Sequence, residues 1–312
     1  MTASAVPKGL ICSLALVSSP REQVASDELR ALVSRLQPHV AGIFLDPMFW
    51  HPDQDGCGPV SAALLEEATK FLPPGLPLWI RITGKNADQT IHICQQLETL
   101  CRRLRFQGPL AWVDTPLFYH SNRGLMEHFE RMLKESQFPL LLDNDPDLIG
   151  RMAGKSKRKN IRTAILKRLA QNPSVAGLLH RGDLRRSLNY QRAVRARPDF
   201  LIFDASERHF LQRPSASGVL SIGVNLLPAE WRLITQASVG LDERNGAEES
   251  RFRHLWEVGQ RVRTLQRLYS RAPTKVIPAV LAAWGVLRDG QVTLSIDERR
   301  AVDLILEQVP TP

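Results

Sequence analysis

Short runs that are mostly apolar at every position alternate with longer segments that are apolar along one stripe only. The runs are Leu10–Val17, Val40–Leu45, Leu76–Ile82, Leu110–Val113, Phe138–Leu142, Val175–Leu179, Phe200–Phe203 and Val219–Val224. None alternates apolar with polar positions, which is the pattern of strands buried on both faces of a parallel sheet. Between them lie helical stripes. Leu29, Leu32, Val33 and Leu36 follow Ser26, Asp27 and Glu28, residues suited to a helix N-terminus. Ile91, Cys94, Leu97, Leu100, Cys101 and Leu104 form a second stripe, and Leu125, Phe129, Met132 and Leu133 a third. Ile161, Ile165, Leu166 and Leu169 continue the series, as do Leu184, Leu188 and Val194. After the eighth run only helices are predicted: Phe252, Leu255, Val258, Val262 and Leu265 on a long one, then Val276–Val286 and Glu298–Leu306.

Eight strand–helix units followed by helices alone predict an α/β chain, a (β/α)8 TIM barrel over residues 1–228 with a C-terminal helical extension over 229–312. A doubly wound open sheet repeats its strands at the same ~30-residue spacing and stays as the alternative.

The composition changes this picture little. At 43% hydrophobic and 23% charged residues, the chain of 312 is neither disordered nor fibrous. No apolar run reaches the ~18 residues of a membrane span. The net charge of +9 admits anionic partners. Its most basic stretch, Arg151–Lys167, has no interleaved aromatic rings for base stacking. It therefore reads as a solvated face rather than a nucleic-acid surface. Cys12, Cys57, Cys94 and Cys101 form no C-x-x-C pair and no zinc spacing. They point to a reducing cytoplasm, with Cys94 and Cys101 as small buried hydrophobes. Lys8 and the apolar Gly9–Val17 could pass for a short signal sequence. A single Lys and the lack of an A-x-A site favour a buried first strand.

Barrel chemistry sits at the C-terminal strand ends. There the sequence places Asp46 with Trp50 and His51, then Thr83 and Gly84, Asp114 and Thr115, Asp143 and Asn144, His180 and Arg181, Asp204, and Asn225. No G-x-S-x-G, P-loop or H-E-x-x-H is present, so serine-hydrolase, nucleotide and zincin chemistry lack their usual anchors.

Several segments carry a resemblance. Thr83-Gly84-Lys85-Asn86 is similar to a T-G-x-N segment, Thr115-Pro116-Leu117-Phe118-Tyr119 to T-P-Y-Y, and Pro139 to Pro146 to P-x-x-L-Y-N-x-P. Val175-Ala176-Gly177-Leu178-Leu179 is similar to I-x-G-I-K, and Gly218-Val219-Leu220-Ser221 to G-x-I-S. Taken in order, they resemble the dihydrodipicolinate synthase / N-acetylneuraminate lyase family. The resemblance implies a barrel, a homodimer or homotetramer, no cofactor, and a small carboxylate or sugar-acid ligand. Ligand positions would be Thr83, Gly84, Thr115, Tyr119, Asp204, Leu220 and Asn225.

It also implies a strand-six lysine that forms a Schiff base with a 2-oxo acid, an electron sink for C–C cleavage. The matching position is Leu179, and the chain has no lysine between Lys167 and Lys275. A one-residue slip would place His180 there. The family's strand-five tyrosine is matched by Asp143, and its carboxylate-binding loop by Asp46 to Pro52, where Pro47 lacks an N–H. Parent aldolase activity is therefore expected to be absent, leaving a ligand- or partner-binding barrel. The alternatives are acid–base chemistry at His180 and Asp143, a metal at Asp46 and Asp114, or nucleic-acid binding. For the acids as a group, capping helix N-termini or pairing with Arg81 and Arg181 is the favoured reading.

Overall fold

A computed structural model describes residues 6–15, 26–50, 57–134, 136–151, 158–240, 249–288 and 293–309. His51, the Leu16 and Val17 end of the first apolar run, and Lys155 and Lys157 of the basic stretch lie outside them. The strands are β1 (Gly9–Ser13), β2 (Gly42–Leu45), β3 (Leu78–Arg81), β4 (Leu110–Asp114), β5 (Leu140–Asn144), β6 (Val175–His180), β7 (Leu201–Asp204) and β8 (Gly218–Ser221). Helices α1 (Ser26–Leu36), α2 (Pro47–Trp50), α3 (Gly58–Ala68), α4 (Ala87–Leu104), α5 (Leu125–Leu133), α6 (Pro146–Arg151), α7 (Thr163–Leu169), α8 (Leu184–Val194) and α9 (Glu207–Gln212) fill the connections. After β8 come α10 (Pro228–Ser238), α11 (Glu249–Tyr269), α12 (Pro273–Ala283) and α13 (Ile296–Gln308).

The strands pair in parallel in chain order, and β1 closes on β8. This is the (β/α)8 barrel, not the open sheet. The seam depends on glycine. Gly9 and Gly218 face each other with φ of 122° and 125°, and a Cβ on Gly218 would stand 2.0 Å from the Gly9 carbonyl oxygen. Along each strand, neighbours bury opposite faces. Leu10, Ile43, Leu78 and Leu178 pack under the helices, while Ile11, Phe44, Trp79 and Leu179 fill the barrel interior. Trp79 meets Phe203 edge to face there, with ring centroids 5.2 Å apart.

The structure differs from the expected stripes at two places. In α8, Val194 is buried as expected, but Leu184 and Leu188 are 38% and 44% exposed, and Ser187 and Tyr190 are buried in their place. Tyr190 sets that phase, because its hydroxyl donates to the Ile161 carbonyl at 2.6 Å. In α11, Phe252 lies 61% exposed while Val262 and Leu265 are buried. Finally, α10, which falls in the expected helical extension, packs on β1 and β8 as an outer helix after the eighth strand. All four cysteines are free and buried. Among the described residues no helix is long and apolar enough to cross a membrane.

Candidate active site

The inward face of each strand continues to the C-terminal mouth by steps of two residues. Two positions beyond Trp79 on β3 this places Arg81, which is 2% exposed. Its Nε and Nη2 each donate to Asp46 at 2.6 Å, Nη2 donates to Asp143 at 2.8 Å, and Nη1 donates to the Thr115 hydroxyl. The guanidinium carbon sits 5.2 Å from the centre of the Phe44 ring. Arg181, two beyond Leu179, lies with Nε 3.2 Å from Asp145 and 3.6 Å from Asp143, and donates to the Ala205 carbonyl. The mouth is thus a lattice of three carboxylates and two guanidiniums, buried at Arg81, Asp46 and Asp143 and partly exposed at Arg181 and Asp145.

Burial works against the Arg81 charge, but Asp46 and Asp143 overcome it and hold the group above its ordinary value. The same balance holds for Arg181, with Asp143 and Asp145 as its main supports. Burial pushes the Asp145 carboxyl up, with Arg181 opposing. Asp46 also accepts from the Phe49 N–H at the start of α2. Pairing and capping thus occupy these acids, while Asp143 still adds to the rise of Asp145 by repulsion.

Three predicted residues sit one position out of phase and face the helices. His180 packs edge-on against Tyr190 at 5.3 Å, with Nε2 3.1 Å from the Asp183 carbonyl. Burial lowers its pKa. It is a wedge between β6 and α8, apart from the mouth. Asp204 accepts from the Ser215 N–H at 2.8 Å, and burial lifts it to about 6. Asp114 accepts from Thr83 Oγ1 at 2.9 Å and from the Tyr119 hydroxyl at 2.7 Å. Burial raises Asp114 to about 6, against those two hydrogen bonds. The Tyr119 hydroxyl lies 2.7 Å from His128 Nε2, and burial takes His128 down to about 4.

The remaining candidates brace the loops. Thr83 also accepts from the Thr115 N–H, and Asn144 accepts from the Ile161 N–H. Gly84 donates its N–H to Thr90, and a Cβ there would lie 2.9 Å from the Thr90 nitrogen. Leu220 packs in the barrel interior. Asn225 accepts from the Ala15 N–H and donates to the Ser13 carbonyl, tying the end of β1 to the turn after β8. Asp46 faces the axis and Asp114 the helices, so the two do not share a site. Among the described residues no three His, Cys, Asp or Glu side chains are grouped to hold a metal ion.

Sequence reasoning treated Arg81 and Arg181 only as pairing partners and missed Glu207 altogether. Stepping by two from Trp79 and Leu179 would have found both arginines. Glu207 is 7% exposed and accepts from Ser221 Oγ at 2.6 Å, the Ile222 N–H at 2.9 Å, the Gly223 N–H at 2.6 Å and the Tyr269 hydroxyl at 2.7 Å. Its partners come from β8, the turn after it, and α11, and no local sequence signal joins them.

Leu179 faces the barrel interior, 0% exposed. The described lysines, Lys8, Lys70, Lys85, Lys134, Lys159, Lys167 and Lys275, are all exposed, and none lies on a strand.

No family model matches the chain. The solved structure of YagE, a prophage protein belonging to the dihydrodipicolinic acid synthase family from Escherichia coli K12 in complex with pyruvate, superposes with a TM-score of 0.75 at 17% identity. That likeness covers 98% of this chain and 99% of that one. The dihydrodipicolinate synthase of Agrobacterium tumefaciens str. C58 gives 0.75 at 16% identity, over 96% of this chain and 97% of that one. This chain has the dihydrodipicolinate synthase fold. The resemblance of the motifs along the sequence therefore extends to the whole architecture. A stretch of 174 residues is 24% identical to the Probable 2-dehydro-3-deoxy-D-pentonate aldolase YjhH of Escherichia coli (strain K12), covering 53% of this chain and 52% of that protein. The match spans about half the length of that curated relative.

Proposed function

We propose that this chain is a divergent member of the dihydrodipicolinate synthase / N-acetylneuraminate lyase family that performs no Schiff-base aldol chemistry and acts as a ligand- or partner-binding barrel. One observation carries the reading. The axis-facing position on β6 is Leu179, and the space at the mouth is held by Arg81 locked between Asp46 and Asp143. An imine needs an amine in the cavity and room for the keto acid; here a hydrocarbon side chain stands at the amine's position and a paired guanidinium stands above it. Asp46, Thr83, Thr115 and Asp143 are each 1% exposed or less, so a carboxylate ligand would first have to break the ion lattice. A homodimer or homotetramer is the assembly expected from the resemblance.

Borohydride reduction in the presence of pyruvate, and separately of 2-dehydro-3-deoxy-D-pentonate, followed by intact mass measurement, tests this. No mass adduct is expected. A stable adduct on any lysine would restore the aldolase reading.

A further inference from the structure

Glu98 on α4 is a buried acid without a cation of its own. It is 7% exposed. One of its oxygens, Oε1, collects three donors: the Trp112 indole N–H at 3.3 Å, the Ser136 hydroxyl at 2.6 Å and the Gln137 N–H at 3.2 Å. Trp112 comes from β4, and Ser136 and Gln137 from the segment that enters β5, so the carboxyl group is held in one orientation. Among the described residues nothing donates to the other oxygen, Oε2, and no Lys, Arg or His pairs with the group. A glutamate this deeply buried ordinarily has an ionic partner.

The free oxygen is not sealed in the protein. Glu98 lines a cavity of about 290 Å³ between α4 and α5, beside the N-terminal end of β5 and away from the mouth. Ile91, Cys94 and Met132 give this cavity an apolar wall. Burial pushes the Cys94 thiol up to about 12, so that wall stays neutral. The rim carries Arg131 and Lys134, both exposed. Arg131 meets Asp88 at 3.5 Å, with both side chains largely in water, and such a pair is weak. Among the described residues no carboxylate pairs with Lys134.

These features ask for opposite charges on one small molecule. A lone anion would meet Glu98, and a lone cation would meet Arg131 and Lys134. A single carboxylate supplies too few ligands for a metal ion. The volume lies at the small end for ligand cavities, which suits a metabolite rather than a peptide. A zwitterion with an aliphatic body satisfies the floor, the rim and the wall together. A basic amino acid would bring a second ammonium group beside the rim cations, so the body has to be uncharged.

We propose that the cavity between α4 and α5 binds a small apolar α-amino acid, its ammonium group on Glu98, its carboxylate on Arg131 and Lys134, and its side chain against Ile91 and Met132. The site is on the flank of the barrel and does not depend on what the mouth does.

Isothermal titration of the full chain with L-leucine and L-methionine tests this, alongside L-lysine, 4-methylpentanoate and 3-methylbutylamine. At least one of the two apolar amino acids is expected to bind with a Kd below about 1 mM. Lysine, the acid without its amino group and the amine without its carboxylate should each be at least about tenfold weaker. Glu98→Gln keeps an oxygen for the three donors and removes the charge, and should weaken the amino acid by at least about tenfold. Arg131→Ala with Lys134→Ala changes only exposed positions and should weaken it by a similar factor with the melting temperature little moved. No binding of either apolar amino acid would overturn the proposal, as would binding that survives both sets of substitutions. Lysine or 3-methylbutylamine binding as tightly as leucine would overturn it equally.

Discussion

Replacing Arg81 by Met keeps the reach of the side chain and removes the charge between Asp46 and Asp143. Breaking a buried ion pair from one side typically costs about 3–5 kcal/mol, because the partner charge is left without compensation. Here Asp46, 0% exposed, loses both guanidinium contacts, Asp143, 1% exposed, keeps only Arg181 as a cation, at 3.6 Å, and the Thr115 hydroxyl loses its donor. The upper end, about 4–5 kcal/mol, is therefore expected. Adding Asp46→Asn and Asp143→Asn to the Met variant removes the stranded charges and should return all but about 1–2 kcal/mol, since uncharged replacements of buried ion pairs are often near neutral. Urea unfolding followed by tryptophan fluorescence measures each step, with Trp79 reporting from the interior beside Arg81. A Met variant within about 1 kcal/mol of the parent would refute the idea that Arg81 is a structural plug, as would a triple variant no more stable than the single one. An arginine waiting for a substrate would be dispensable in the empty protein.

Asp114 sits near 6, above the ordinary carboxylate value, so its protonated form favours the fold. Its contribution is complete below about pH 4 and is lost as pH rises through about 6. Asp114→Asn keeps an acceptor for Thr83 and a partner for Tyr119, and should flatten that fall by up to about 3 kcal/mol. Asp204 leaves a residual slope of the same sign, and an unchanged pH profile of stability would count against the assignment. Leu179→Lys alone should give no reducible adduct with pyruvate, because the ion lattice still fills the mouth; an adduct detected by mass would contradict this. Glu207→Ala strands four donors and should cost about 3–5 kcal/mol, against about 1–2 for Tyr269→Phe, compared by thermal melting. The reverse order of the two would show that Glu207 is not the hub.

The strands were legible because a barrel strand is buried on both faces, so runs such as Val175–Leu179 are apolar throughout and too short for a buried helix. The helices were less so. The apolar stripe of α8 pointed to Leu184 and Leu188, but the phase is set by Tyr190 reaching the Ile161 carbonyl, a contact across 29 positions that no local pattern records. At the mouth, the acids were visible and their direction was not. In a strand one residue reverses the side chain, so Asp143 entered the barrel while Asp114, His180 and Asp204, each next to an inward residue, turned to the helices. Arg81 and Arg181 became the centre of the site for the same reason: each lies two beyond an interior side chain.

Glu207 has a wider effect than fastening α11. Backbone N–H groups just past the eighth strand, at the start of a short helix, are a common seat for phosphate in barrels of this architecture. In this molecule the amides of Ile222 and Gly223 already donate to the Glu207 carboxyl, which reaches them from two elements earlier in the chain. The two N–H groups that could cradle a phosphate there are therefore filled from within, by a side chain rather than by a visitor.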